Sequence, residues 1–286
     1  MSRSGRAKDQ AHALVHRLSG PVAARTAQEI HQTAPVETPR DYFLALAEYQ
    51  RRRTHAIAHA ELAAHELRVS SQNGEDGVIQ EIFRRIGTGE RPFFVEFGGE
   101  IGSEGNAVLL ADAAGWEGLF LEADPSFFGR LARKYRHGPV QTRQALVSPS
   151  NIEQLLEEAG VPHDFDLLSI DIDGDDYWIW KALEAFRPRL VVIEYNAERA
   201  ANTVQVFGHR SAQHTNDFGA SIEALVGLGT EKGYRLVHTE IVGLNAFFVR
   251  DDLAAEFGAP RIAGTNFYLR AQGHPEPALA RPELSV

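Results

Sequence analysis

The chain has 286 residues, a formal net charge of -10 and no cysteine. Disulfides and thiolate zinc sites are therefore excluded, and the length suffices for one large domain with a small attachment. The acidic balance disfavours a nucleic-acid partner, and no segment reaches the roughly 18 apolar residues of a membrane helix. The first twenty residues lack the apolar block of a secretory signal, so we expect a cytoplasmic protein.

The N-terminal part of the chain is predicted to be helical and separate from the rest. Residues 41–68 contain strong helix formers and neither Gly nor Pro, whereas Pro35 and Pro39 interrupt the preceding stretch. We predict a helical appendage over residues 1–66 and a second domain over residues 67–286. The appendage is a candidate lid, flexible leader or dimer arm, and a homodimer would then form through its helices.

From about residue 72 the pattern changes to alternating helices and strands. Residues 75–87 place apolar side chains on one helical face, and Gly87 is a plausible end of that helix. Five short apolar runs and four intervening helical stretches then follow with the spacing of βαβ units, which predicts a parallel sheet covered on both faces. The predicted strands are 93–98, 118–124, 140–147, 166–171 and 189–195, and the helices are 104–115, 126–136, 150–160 and 175–186.

The end of this region is predicted to be a hairpin. A helix over 218–233 precedes two strands, 234–242 and 245–250, and the link 243–244 is too short for a helical crossover. These two strands should therefore pair antiparallel. The predicted fold class is α/β, with a Rossmann-like, seven-stranded, mostly parallel sheet that ends in an antiparallel hairpin, plus the N-terminal helical appendage.

A glycine turn follows the first strand of this sheet, in the stretch FFVEFGGEIGSEGN. Gly98, Gly99 and Gly102 would let the backbone turn tightly and approach a ligand. Glu122 ends the second strand, twenty residues after Gly102, where acids accept hydrogen bonds from ribose hydroxyls. The alternative is that the glycines only make a tight turn and that Glu122 and Asp124 cap the next helix.

The charge in the turn bears on which nucleotide it would bind. A dinucleotide site presents a helix N-terminus and backbone amides to a pyrophosphate. Glu100 places a carboxylate at that point, which would repel a pyrophosphate. A cofactor with a cationic end and no phosphate, such as S-adenosylmethionine, fits better, and a nicotinamide oxidoreductase is disfavoured.

Several carboxylates follow the fourth strand and could hold a metal ion. Four aspartates lie within six residues there: Asp171, Asp173, Asp175 and Asp176. The fifth strand ends near Glu194 and Asn196, and neighbouring strand ends meet at one crevice. Because a divalent cation such as magnesium would offset the repulsion, Asp171 and Asp173 with Glu194 and Asn196 form a candidate metal site. The alternative is that Asp175 and Asp176 cap the next helix and no metal binds.

The segment 197–217 has no clear periodicity and is a candidate lid or substrate-recognition loop. It carries His209 and His214. We select His214 as the candidate general base because it lies just before the next helix, back toward the sheet edge. The alternative is that both histidines are surface or core-edge residues.

These motifs together resemble a known family. The pattern E-x-G-x-x-x-G, the acid that ends the second strand and the terminal hairpin are similar to class I S-adenosylmethionine-dependent methyltransferases. The combination of SQNGEDGVIQEIF, VEFGGEIGSEGN and LLSIDIDGDDYWIW most resembles FkbM-related small-molecule methyltransferases, over residues 71–250.

The resemblance implies roles for particular residues. The methionine end of the cofactor would lie against the first turn, Glu122 would hold the ribose, and Gln72 and Asp76 would close over the site. Asp171 resembles the aspartate after the fourth strand that holds magnesium in catechol O-methyltransferase-like enzymes, although the Glu-Tyr-Asn after the fifth strand departs from their Asp-Asn pair. The implied cofactor-binding residues are Gln72, Asp76, Glu96, Gly98, Gly99, Gly102, Glu122 and Asp171.

The sequence therefore predicts an S-adenosylmethionine-dependent methyltransferase that acts on a small-molecule acceptor. We expect O-methylation of a hydroxyl, with Asp171 and His214 as catalytic residues and Mg2+ as an optional second cofactor. A metal-independent N-methyltransferase and a non-catalytic cofactor-binding dimerisation module are the alternatives. The third strand ends in Gln144 without the acid that often marks the adenine pocket, so the adenine contacts are left open.

Overall fold

The computed structural model describes residues 54, 60–172, 174–197, 199, 203–206, 219–260 and 262. The predictions for residues 1–53, and for most of the loop before residue 219, lie outside this part of the chain. Within the described residues, seven strands form one sheet. They are β1 (Phe93–Phe97), β2 (Glu117–Glu122), β3 (Val140–Gln144), β4 (Leu167–Ile170), β5 (Leu190–Glu194), β6 (Tyr234–Thr239) and β7 (Asn245–Arg250).

Six α-helices accompany the sheet in the described part of the chain. They are α1 (Glu75–Ile86), α2 (Val108–Asp112), α3 (Pro125–Lys134), α4 (Ile152–Glu158), α5 (Asp176–Ala182) and α6 (Ile222–Lys232). Two short 3-10 helices cover Glu61–His65 and Asp251–Glu256. Every helix predicted between residues 72 and 233 is therefore present, with shorter bounds in several cases.

The strand order is β3-β2-β1-β4-β5-β7-β6. The first five strands in the chain are mutually parallel, and β7 runs antiparallel to both β5 and β6. The predicted Rossmann-like sheet with a C-terminal antiparallel hairpin is thus confirmed. Because the order reverses between β1 and β4, the crevice outside their carboxyl ends is the topological switch point, where ligands bind in such sheets.

The buried side chains divide between the two faces of the sheet. Along β1, Phe93, Val95 and Phe97 belong to one apolar cluster and Phe94 to the other, as the two-residue period of a strand requires. Helices α1, α2 and α3 contribute to the Phe94 cluster, and α4, α5 and α6 contribute to the other. The strands are accordingly apolar on both faces, as expected for a sheet covered by helices.

The sheet has two edge strands of unequal character. Strand β3 has five residues, VQTRQ, and most of its side chains are at least partly exposed. Strand β6 has a register irregularity against β7 between Leu236 and His238. Irregular pairing of this kind bends and twists an edge strand.

The predicted helix over 41–68 is wrong at its C-terminal end. Glu61–His65 is a 3-10 helix and residues 66–68 are not helical. The Leu67 N–H donates to the Gly74 carbonyl (3.1 Å), and the Gly77 N–H donates to the Leu67 carbonyl (3.0 Å), so the chain crosses over the start of α1 instead. The division of the chain at residue 66, and a dimer through the residues before it, stay predictions.

The predicted strand 234–242 is also too long, because β6 ends at Thr239. The carboxylate of Glu240 accepts hydrogen bonds from the N–H groups of Leu244 (3.0 Å) and Asn245 (2.8 Å). The side chain thereby closes a turn over the next five residues, which competes with continued strand pairing.

Candidate functional site

The candidate site lies at the switch point, and its centre is the turn after β1. Gly98 has a φ of +73°, and a Cβ atom there would overlap the carbonyl oxygen of Asp171. Its N–H donates to the Leu121 carbonyl (3.1 Å). The turn therefore lies between the ends of β2 and β4. Only glycine readily adopts this positive φ and also leaves room for the Asp171 carbonyl oxygen.

The other two glycines hold the turn against β2 and α3. A Cβ atom on Gly99 would lie 2.9 Å from the Phe120 ring. Gly102 has a φ of +70°, and a Cβ atom there would lie 2.9 Å from a methyl carbon of Leu131. The tight turn is present, and its contact with a cofactor stays a prediction.

Glu122, at the end of β2, is buried and fixes this turn. Its Oε2 accepts the Glu100 N–H and its Oε1 accepts the Asp124 N–H, both at 2.7 Å. Asp124 caps α3 by accepting the N–H groups of Ser126 (2.7 Å) and Phe127 (3.2 Å). The capping alternative is therefore right for Asp124, whereas Glu122 binds the backbone of two loops.

Glu100 has a strained backbone in the middle of the turn. Its φ of +43° makes it the non-glycine residue with positive φ in the described part of the chain. Such a conformation costs about 1–3 kcal/mol and persists where surrounding contacts require it. The hydrogen bond from the Glu100 N–H to Glu122 holds the backbone in this conformation, while the Glu100 side chain is exposed.

Glu96, on β1, is buried and binds the loop that leads into α2. Its carboxylate accepts the N–H groups of Asn106 (2.7 Å) and Ala107 (3.0 Å) and the Ser169 hydroxyl (3.2 Å). Burial raises the pKa of Glu96 to about 7, although these three hydrogen bonds oppose the shift. The Glu96 carboxylate therefore holds the backbone just before α2 in place. Its contact with a cofactor stays a prediction.

Asp76 and Gln72 lie at the start of α1. Asp76 Oδ2 accepts the N–H groups of Val69 (2.7 Å), Ser70 (2.6 Å) and Ser71 (2.7 Å), and also the Ser71 hydroxyl (2.9 Å). Its other oxygen, Oδ1, is buried and receives no hydrogen bond from any described residue. Gln72 is exposed beside this loop. Their closure over a cofactor is not tested by these contacts.

The second half of the crevice is formed by the ends of β4 and β5. Asp171 directly follows β4 and is exposed, whereas Asp176 is buried. The Asp176 carboxylate accepts the N–H groups of Ile172 (3.0 Å) and Gly174 (2.9 Å). Asp176 therefore holds the loop after β4 in place, and it acts on the backbone ahead of α5 rather than on a metal.

The structure does not support the predicted magnesium site. Among the described residues, no group of three or more His, Asp or Glu side chains is placed to hold a metal ion. Glu194 is partly exposed and Asn196 is buried at the end of β5. Asp173, the fourth predicted ligand, lies outside the described residues, as do His209 and His214, so their roles stay predictions.

Sequence reasoning missed residues that complete this site. Asn106 and Ser169 are buried polar partners of Glu96, and Asn106 Nδ2 also donates to the Ser169 hydroxyl (3.1 Å). Ser169 lies within β4, in the stretch DLLSID. A polar residue inside this otherwise apolar strand was the sequence signal that could have identified it. No comparable signal marked Asn106, which lies within a polar loop.

The arrangement defines what the site can do chemically. It is an acidic, glycine-lined crevice in which the N–H groups of Glu100, Asn106 and Ala107 already bond carboxylates, so it suits a ligand that brings hydroxyls and positive charge. Within the described part of the chain, no helix combines the length and apolar character needed to cross a membrane.

Comparison with known proteins gives only distant likenesses. The sequence matches no protein-family model, and no curated protein matches it. Among solved structures, the chain is similar to the N-terminal domain of EvdMO1 with SAH bound, at 11% identity and a TM-score of 0.40, over 71% of this chain and 94% of that one.

Two further solved structures show the same degree of similarity. Magnesium protoporphyrin IX methyltransferase from Synechocystis PCC 6803, with bound SAH, has 13% identity and a TM-score of 0.39, over 62% of this chain and 81% of that one. CalS10, an amino pentose methyltransferase from Micromonospora echinaspora with bound SAM, has 10% identity and a TM-score of 0.39, over 70% and 96%. At this distance the function must be argued from the site itself.

Proposed function

We propose that this protein is an S-adenosylmethionine-dependent methyltransferase that acts on a hydroxyl group of a small molecule. The observation that carries the proposal is that carboxylates bond one backbone amide in the glycine turn and two just before α2. The Glu100 N–H donates to Glu122, and the N–H groups of Asn106 and Ala107 donate to Glu96.

These contacts argue against a phosphate-bearing cofactor. A dinucleotide site uses free backbone amides in the glycine turn and at the following helix N-terminus to bind a pyrophosphate. Here the Glu100 N–H in the turn and the Asn106 and Ala107 N–H groups just before α2 already bond carboxylates, and Glu100 and Glu122 add negative charge. A pyrophosphate would have to displace carboxylates and then meet others, which is unfavourable on both counts.

The same contacts suit an adenosyl sulfonium. Each Glu122 oxygen receives one amide hydrogen bond and keeps a further lone pair, which is the acceptor capacity that two ribose hydroxyls need. Gly98 is exposed in this turn, so a cofactor can approach the backbone there. Negative charge around the turn would attract the cofactor's cationic end.

S-adenosylmethionine, when bound, supplies an electrophilic methyl group. The protein's task is then to align the acceptor oxygen with that methyl and to remove the hydroxyl proton as the bond to carbon forms. Asp171 is an exposed carboxylate where the crevice opens, next to the turn that Gly98 makes against it. We propose that Asp171 accepts this proton, either directly or through His214.

We assign no role to a metal ion, because the described residues do not bring together three or more side chains that could bind one. An amine acceptor remains the second candidate, since it would use the same cofactor site. Turnover in the presence of excess chelator, with hydroxyl-bearing and amine-bearing acceptor libraries assayed in parallel, distinguishes the two acceptors and tests metal dependence at the same time.

The central test is calorimetric titration with S-adenosylhomocysteine and, separately, with NAD+. We expect S-adenosylhomocysteine to bind and NAD+ not to bind. Glu122→Gln keeps one acceptor oxygen but loses the charge and the second acceptor, so we expect affinity for S-adenosylhomocysteine to fall about 10- to 100-fold.

Glu117→Gln is the matched control, because Glu117 forms a surface ion pair with Arg91 (2.6 Å) at the other end of β2. It should leave the affinity unchanged. Tighter binding of NAD+, or equal affinity in the Glu122→Gln variant and the wild type, would overturn the cofactor assignment. Failure to bind either molecule would overturn it as well.

A further inference from the structure

Residues 66–72 form a segment that is neither helix nor strand, here called the strap, and it crosses the start of α1. Its middle is tied down by Asp76, whose Oδ2 accepts three consecutive backbone N–H groups from residues 69–71. Gly77 permits this crossing, because a Cβ atom there would overlap the backbone carbonyl of His65. The strap is thus held by its own backbone rather than by apolar packing.

The strap also contacts the loop that follows the glycine turn. The Gly105 N–H donates to the Ser70 carbonyl (3.1 Å), and Arg68 forms an ion pair with Glu104 (2.9 Å). Gly105 in turn packs against the Glu96 carboxylate. The position of the strap is therefore coupled to the loop between β1 and α2, which forms one wall of the candidate cofactor site.

At its other end the strap is attached to the β6–β7 hairpin. Glu66 Oε1 accepts hydrogen bonds from His238 Nε2 (2.9 Å) and from the Ile241 N–H (3.0 Å). A Cβ atom on Gly74 would lie 2.8 Å from the Glu66 Cβ, so Gly74 provides the space for this contact. The strap therefore connects the β6–β7 hairpin to the loop between β1 and α2.

Beneath this bridge two acids are fully buried against each other. Glu75 accepts hydrogen bonds from the Asn73 N–H (2.8 Å) and from Asn245 Nδ2 (3.0 Å). Glu240 Oε1 accepts two backbone N–H groups of the hairpin, and its Oε2 is buried and receives no hydrogen bond from any conventional donor that the structure describes. Asn245 contacts both acids, because its Nδ2 donates to Glu75 and its backbone N–H donates to Glu240 Oε1, and a hydrogen bond between the two acids shifts the pKa of each.

The charges around this pair are almost all negative. Glu66 faces it from the strap, and Glu194 of β5 lies opposite Asn245 in the sheet register. His238 is the basic group nearby, and its Nε2 is engaged by Glu66. Within the described residues no Lys or Arg forms an ion pair with Glu66, Glu75 or Glu240, so a proton is the available means of joining the two buried acids.

We propose that Glu240 carries a proton that it donates to Glu75, and that this shared proton fastens the start of α1, and with it the strap bound by Asp76, to the hairpin and so positions the loop between β1 and α2. The asymmetry follows from the contacts, because both oxygens of Glu75 already accept hydrogen bonds whereas one oxygen of Glu240 does not. Loss of the proton would leave Glu66, Glu75 and Glu240 as three carboxylates in one buried space and release the strap.

The direction of the pH effect follows from the titration of the pair. Burial and the Glu75 carboxylate raise the pKa of Glu240 well above the ordinary value of 4.5. Burial by itself would raise the pKa of Glu75, but hydrogen bonds from Glu240 and Asn245 outweigh burial and lower that pKa. The contribution of Glu240 to folding stability is therefore fully present below 4.5 and is lost as the pH rises through its raised pKa.

Hydrogen exchange of the amides of residues 69–71 tests this proposal without any cofactor. In the wild type, exchange corrected for the intrinsic rate should accelerate about tenfold or more as the pH is raised from about 5 through the raised pKa of Glu240. In Glu240→Gln the amide nitrogen replaces the proposed O–H donor, so exchange should stay slow throughout. Glu117→Gln, a surface variant, should behave as the wild type.

Glu75→Gln provides the second, independent comparison. Its amide nitrogen would face the donors that Glu75 now accepts from, so this variant should be less stable than Glu240→Gln in urea unfolding at about pH 6. Equal stability of the two variants, pH-independent strap exchange in the wild type, or the same acceleration in Glu240→Gln would overturn the proposal. So would strap protection that depends on Na+ or K+ at constant pH.

A second readout rests on the proposed function. The affinity for S-adenosylhomocysteine should fall over the same pH range in the wild type and stay constant in Glu240→Gln. If the protein binds no S-adenosylhomocysteine at any pH, the cofactor assignment fails. Hydrogen exchange would still decide whether the shared proton holds the strap.

Discussion

At the ends of β1 and β2, buried carboxylates bind the protein's own backbone, whereas at the end of β4 the carboxylate of Asp171 is exposed. Glu96 and Glu122 together accept four backbone N–H groups, and each of these bonds fixes part of one loop. Under the proposed function this difference would divide the work between the two halves. The β1–β2 half, whose loops are held by buried carboxylates, would bind the cofactor, and the β4 half would present Asp171 to the acceptor.

The largest expected effect comes from breaking the β1–β2 half at Gly98. In Gly98→Ala the left-handed backbone costs about 1–2 kcal/mol and the overlap with the Asp171 carbonyl costs about 1–3 kcal/mol, so we expect a loss of about 4 kcal/mol in urea unfolding. Binding of S-adenosylhomocysteine should be lost as well.

The matched control for this variant is Gly115→Ala. Gly115 has a similar φ, +71°, but a Cβ atom there would meet nothing within 4 Å. It should lose only the left-handed backbone cost of about 1–2 kcal/mol and keep its ligand affinity. Equal losses in the two variants would show that the close approach to Asp171 does not matter.

A smaller effect is expected from the titration of Glu96. Its pKa of about 7 in the folded protein lies above the ordinary 4.5, so its contribution is fully present below pH 4.5 and falls by about 3 kcal/mol as the pH rises through 7. Urea unfolding across this range should show the decline in the wild type. Glu96→Gln should start lower, because its amide nitrogen faces a backbone N–H, but should vary less with pH.

The control for the Glu96 prediction is again Glu117→Gln, which should keep the slope of the wild type. A Glu96→Gln variant with the same pH dependence as the wild type would mean that other groups cause the decline. That result would show that the titration of Glu96 does not cause the pH dependence, although its hydrogen bonds could still stabilise the fold.

The smallest effect on the fold is expected at Asp171. Because this side chain is exposed, the loss of its contacts in Asp171→Ala should change the free energy of unfolding by less than about 1 kcal/mol. Methyl transfer should nevertheless fall about 100-fold or more, while the Kd for S-adenosylhomocysteine changes little. A variant that retains turnover, or one that loses affinity and turnover together, would contradict the division between the two halves.

Much of the fold could be predicted from the sequence because its signals are local. Apolar runs bounded by glycine and polar residues identified all seven strands, and the short link after residue 242 identified the antiparallel hairpin. The ends of elements were less accessible. Strand β6 stops because the side chain of Glu240 binds the turn, and the helix before residue 66 stops because the strap crosses α1.

The site was predictable in part for the same reason. The spacing of Gly98 and Glu122 identified the turn and the acid beside it, since both signals lie within one βαβ unit. The pairing of Glu75 with Asn245 joins residues 170 positions apart, so no local pattern could indicate it. The sequence also suggested that clustered aspartates bind a metal, whereas Asp176 uses its charge on nearby backbone amides.

The two borders of the sheet have a consequence for how the protein behaves at high concentration. Strand β3 is short and carries Arg143 among polar residues, and strand β6 is distorted by its register irregularity. Short, charged or bent borders resist the addition of strands from other molecules. We therefore expect the sheet not to extend from one molecule to the next, which leaves self-association to the helical surfaces.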